Sequence, residues 1–137
     1  MTKKCILNTL ILSLFLCLPL AYCQELTSNE LKIFYDATEY QLKAQASGSG
    51  NLSAQDFASQ YGLTEEQLED VMTRGWGIPL NATEEEVADE LKKRLSSPGG
   101  ENMTPDDMNI MKELANKYSM SLGQVGSIFI RMNSDLL

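Results

Sequence analysis

The chain has 137 residues, 11 of them basic and 19 acidic, with a formal net charge of −8 and no histidine. That length holds one small domain or two very small ones. The charge disfavours phosphate backbones and anionic membranes as partners, and the missing histidine excludes Ser–His or Cys–His nucleophiles and His-ligated metals.

Lys3 and Lys4 lead an apolar run from Cys5 to Cys23, the plan of an export signal. Three fates fit it. Ala21 and Cys23 are small residues two apart, which suits cleavage before Gln24. Leu20-Ala21-Tyr22-Cys23 resembles a bacterial lipoprotein box, with Cys23 lipidated, although Tyr22 departs from the small residue expected there. The run is also nearly long enough to span a bilayer as a single anchor. In each case the remainder faces outward, secreted or periplasmic, and meets a membrane only through this segment or its lipid. All three cysteines lie here, so the rest must build its core by packing alone. Two of the 11 basic residues and none of the 19 acidic ones fall in the segment, which leaves the remainder at a net −10.

Beyond it, six pairs of a hydroxyl residue followed three positions later by an acid or amide predict helix starts. They are Thr27/Glu30, Ser53/Asp56, Thr64/Gln67, Thr83/Glu86, Thr104/Asp107 and Ser121/Gln124. Pro105 fits the first helical position, where its missing N–H costs nothing. Breaker-rich stretches, "ASGSGN" at 46–51, "RGWGIPLNA" at 74–82 and "SSPGGENM" at 96–103, separate the helices. The expected fold is all-α: about six short helices in two similar three-helix units, residues 24–74 and 83–137, joined by a Trp-containing linker at 75–82.

The two units align at an offset of 57, where "FASQYGLTEEQLEDVMTR" meets "LANKYSMSLGQVGSIFIR" and Ala58/Ala115, Tyr61/Tyr118, Gln67/Gln124 and Arg74/Arg131 are identical. Both segments resemble the helix-turn-helix motif. Its small contact residue is Ala58 or Ala115, and its turn residue is Gly62 in the first copy, with Ser119 replacing it in the second. In DNA-reading members the second helix enters the major groove with basic and amide side chains outermost. Here the first copy's second helix presents Glu65, Glu66, Glu69 and Asp70 against Arg74 alone, and the second copy offers only Arg131. No nucleic acid is therefore expected, and the motif reads as scaffold. A DNA-binding regulator remains the alternative if the N-terminal segment is not an export signal.

The last predicted helix carries an apolar stripe, Leu122, Val125, Phe129 and Met132, with Ile128 beside it. Gly123 and Gly126 inside a helix cost about 1 kcal/mol each relative to Ala and call for close packing. Two roles fit: burial against the first unit, or a surface for self-association or a partner protein. Trp76, between two glycines, either pins the linker or anchors a partner. The candidate interaction residues are thus Trp76, Ile78, Leu122, Gly126 and Ile130. Met103, Met108 and Met111 fit core packing better than a thioether metal site. Asn51, Asn81 and Asn102 have the form of glycosylation acceptors, but each sits where a helix start wants such residues anyway. No catalytic constellation, phosphate loop, cofactor motif or metal set emerges, so an enzyme is not expected. A secreted hydrolase using paired carboxylates is the remaining alternative. The expected work is protein binding or assembly outside the cytoplasm.

Overall fold

The computed structural model describes residues 25–48, 53–99 and 103–133. The predicted export segment, Cys23, Asn51 and Asn102 lie outside them. The described residues form six helices and no strand: α1 (Ser28–Ser47), α2 (Ala54–Gln60), α3 (Glu65–Trp76), α4 (Ala82–Arg94), α5 (Pro105–Tyr118) and α6 (Leu122–Met132). None is long and apolar enough to cross a membrane.

Five of the six predicted starts stand. Thr27, Ser53, Thr64, Thr104 and Ser121 each accept a hydrogen bond from the backbone N–H three residues on. Pro105 opens α5. The sixth start needs correction. Asn81, not Thr83, caps α4: its Oδ1 accepts from the Glu84 N–H, and the Glu84 carboxylate accepts from the Asn81 N–H. Starting there turns Val87, Ala88 and Leu91 into the core. The linker is also shorter than predicted. Gly75 and Trp76 continue α3, because Gly75 is buried with the Phe34 ring where a Cβ would stand, so the connection runs only from Gly77 to Asn81.

The helix-turn-helix copies close alike. The Leu63 N–H reaches the Ala58 carbonyl at 3.0 Å, and the Met120 N–H reaches the Ala115 carbonyl at 2.8 Å. Gly62 turns with φ 70° and Ser119 with φ 54°. Both lie in the left-handed region, which glycine enters freely and serine does not.

Two apolar clusters form the core. Ile33 and Phe34 of α1 pack with Phe57, Ala58, Leu68, Val71 and Met72 of α2 and α3. The larger cluster joins Val87, Leu91, Met108, Met111, Leu114, Val125, Ile128 and Phe129 of α4–α6, and it also takes Leu42 from α1. One long helix therefore serves both trios. α6 lies along it so closely that a Cβ on Gly123 would overlap the Tyr35 carbonyl, and one on Gly126 would overlap Leu42. The two glycines are explained by this crossing. α6 is buried around most of its circumference, including Gly123, Gly126, Ser127 and Arg131.

Candidate functional site

Each trio is closed by the same brace. At the end of α3, Arg74 donates from Nη2 to Glu30 Oε1 at 2.6 Å and from Nε to Asp70 Oδ2 at 2.9 Å. At the end of α6, Arg131 donates from Nη2 to Glu84 Oε1 at 2.6 Å and from Nη1 to Glu84 Oε2 at 3.3 Å. Glu30 and Glu84 are the third residues of α1 and α4, and both also complete the capping box of their helix. Planar guanidinium groups suit such paired donation to carboxylates. The Arg74 guanidinium and the Thr27 backbone N–H hold the Glu30 carboxyl at about 2, below its ordinary 4.5.

A second contact repeats six residues further along the first helix of each trio. Tyr61 donates to Asp36 at 2.8 Å, and Tyr118 donates to Glu90 at 2.9 Å. Burial and the Asp36 carboxylate push the Tyr61 hydroxyl up to about 12. Asp107 is the buried acid of the C-terminal trio. Its burial is outweighed by the Ser96 and Thr104 N–H and hydroxyl donors, so its carboxyl lies below its usual range. No buried side-chain polar atom among the described residues lacks a partner. These groups tie the helices of each trio together.

Trp76 is different. It is the one large apolar side chain among the described residues that stands exposed, at 40%. Arg131 Nη1 also holds the linker beyond Trp76, donating to the Ile78 carbonyl at 3.3 Å. Trp76 stands between two clefts. On one side is a polar cleft of about 610 Å³ that includes Pro79, Glu85, Ala88, Asp89, Lys92 and Met132. On the other is an open groove of about 470 Å³ between α1, α2 and α3, floored by Phe57, Leu68 and Met72 and flanked by Ala37, Tyr40, Gln41 and Ala54.

The predicted interaction residues separate in space. Trp76 and Ile78 line the polar cleft together. Leu122 and Ile130 are half-buried and pack on the larger cluster. Gly126 is corrected: it is buried against Thr38 and Leu42 of α1 and offers no surface to a partner. Asn81 is the exposed cap of α4. Met108 and Met111 are buried in the core and Met103 packs against it. No cluster of acidic, cysteine or histidine side chains suited to a metal occurs among the described residues. The groove escaped sequence reading, although Leu68, Met72 and Trp76 stand four residues apart. Once Trp76 is assigned to a loop, that spacing loses its meaning.

Protein-family models, curated proteins and solved structures all give no match.

Proposed function

We propose that this chain is an exported, acidic, all-helical module that binds another protein outside the cytoplasm, with the Trp76 ridge as its contact surface. The observation that carries the reading is an exposed Trp held at a helix end between two formed clefts. Aromatic side chains in such settings concentrate binding energy, and a ring anchored by its own helix loses little freedom on binding. Arg74 and Arg131, the cations a DNA-reading motif would turn to phosphates, are engaged by Glu30, Asp70 and Glu84 instead. That favours a protein partner over nucleic acid. Glu85 and Asp89 share the polar cleft but stand in water one turn apart on α4, without the desolvated setting that suits a general acid. Export rests on the Lys3–Cys23 pattern, and the net −10 of the remainder suits a soluble life beyond the membrane.

The test is site-specific photo-cross-linking in the native host, with the reactive side chain placed at Trp76 and, as a control, at exposed Lys93 on α4. A discrete heavier adduct from position 76, absent from position 93 and found in the extracytoplasmic fraction, is the expected result. Adducts absent from both positions, or confined to the cytoplasm, would contradict the proposal.

A further inference from the structure

The two clefts beside Trp76 differ in chemistry, and that difference selects a partner. The groove between α1, α2 and α3 has no charged residue in its lining. Leu68, Met72 and Trp76 form one stripe along α3 at a spacing of four. Helix geometry places Glu65 and Glu69, each three residues before a member of that stripe, along its outer edge, and both are exposed. No basic residue lines the groove. An apolar trough with an acidic edge is complementary to a helix bearing an apolar stripe and basic flanks.

From this juxtaposition we infer that the groove seats the apolar face of a basic amphipathic helix belonging to the partner, whose cations meet Glu65 and Glu69. The inference rests on the reading of the chain as a binding module and names the partner's chemistry. A second copy of the chain fits the groove poorly. Two-fold pairing on this face would bring two sets of Glu65 and Glu69 together, on chains that each carry a net −10 beyond residue 23.

Trp76 is the only tryptophan in the chain and lines both clefts, so its fluorescence reports on binding beside it and a variant in each cleft tells the two apart. The experiment titrates the folded protein with three synthetic peptides of about four helical turns, roughly 14 residues. The first has a leucine stripe flanked by lysines, the second replaces every lysine by glutamate, and the third scrambles the first. The expected result is a saturable blue shift with the Leu/Lys helix alone, weakening as salt is added. Ala54→Arg, at an exposed position in the groove, and the double reversal Glu65→Lys/Glu69→Lys should each lower affinity at least about tenfold. Asp89→Lys, in the polar cleft, should not lower it. Circular dichroism melts of each variant confirm that the fold persists.

The inference is overturned by no saturable shift, by equal binding of the Leu/Glu or scrambled peptide, or by loss of binding through Asp89→Lys while Ala54→Arg is silent. Should no shift occur although position 76 cross-links in cells, the binding module stands and the basic-helix assignment falls. Should neither experiment respond, both fall.

Discussion

The N-terminal trio, α1–α3, and the C-terminal trio, α4–α6, share one frame filled with opposite sizes. Glu30 and Glu84 open the first helices, Arg74 and Arg131 close the third, and Tyr61 and Tyr118 reach back to Asp36 and Glu90. Four residues after the bracing glutamates stand Phe34 and Ala88, and one after the arginines stand Gly75 and Met132. In the first trio a buried Phe34 ring occupies the space over Gly75. In the second, Ala88 and Met132 line the polar cleft. The large and small residues stand in reversed order in the two trios. The frame is shared, and the tightly filled Phe34–Gly75 contact of the first trio has its counterpart positions on the wall of a cleft in the second.

Reversing those sizes is the strongest way to break the comparison. Phe34→Ala should cost about 3–5 kcal/mol through the cavity it leaves. Gly75→Met should cost about 1–3 kcal/mol by overpacking against the ring, since even a Cβ there overlaps Phe34. The double variant, which gives the first trio the sizes of the second, should be at least about 1 kcal/mol better than the sum of the two, a coupling that urea denaturation measures. Additive costs would mean that the two positions do not compensate and that the sizes are unrelated.

The braces should differ in strength because their burial differs. The Arg131 and Glu84 side chains are 3% and 12% exposed, against 9% and 27% for Arg74 and Glu30. Arg131→Met strands a mostly buried carboxylate and should cost about 3–5 kcal/mol. Arg74→Met leaves Glu30 nearer to water and should cost only about 1 kcal/mol. The outer brace also has a pH signature. Because the folded-state carboxyl of Glu30 lies at about 2 and its ordinary value is 4.5, its contribution is present above pH 4.5 and is lost as pH falls towards 2. Urea midpoints should drop through that window, and less steeply in Arg74→Met. Equal losses in the two arginine variants, or unchanged acid slopes, would remove the distinction.

Much of this frame is legible in the sequence, and the gaps have physical causes. Five helix caps follow from local chemistry, because a hydroxyl and an acid or amide three residues apart satisfy orphan N–H groups whatever the rest of the chain does. At "NATEEE" two capping pairs overlap, Thr83/Glu86 with its hydroxyl and Asn81/Glu84 with an amide oxygen in that place. Only the distant Arg131 and the core positions of Val87 and Leu91 choose between them. With Asn81 as the cap, a second repeat offset of 54 residues appears, at which Glu30 meets Glu84 and Asp36 meets Glu90. Arg74 and Arg131 stand out in the sequence as a repeated pair, but their partners are tertiary. "RGWG" reads as breakers, yet Gly75 is there because Phe34 needs its space. The apolar groove depends on that helical turn.

The smallest expected effect lies in the two tight turns. Nothing stands within 4 Å of a Cβ built on Gly62, so substitution there tests backbone conformation alone. Gly62→Ser should destabilise by about 1 kcal/mol, and Ser119→Gly should stabilise by up to about the same amount, since both residues turn in the left-handed region. Thermal melts moving the same way in both would show that the turns are not equivalent.

The central structural claim is that two similar trios are merged into one body, because α1 contributes to both apolar clusters and α6 lies against it through Gly123 and Gly126. The most direct measurement is a urea titration of the wild-type protein followed at once by Trp76 fluorescence, which reports on the end of α3, and by far-ultraviolet circular dichroism, which reports on all six helices. The account predicts superimposable transitions with one midpoint. A fluorescence change complete before most of the helix signal is lost would contradict it, and would show two trios that are tethered but fold apart.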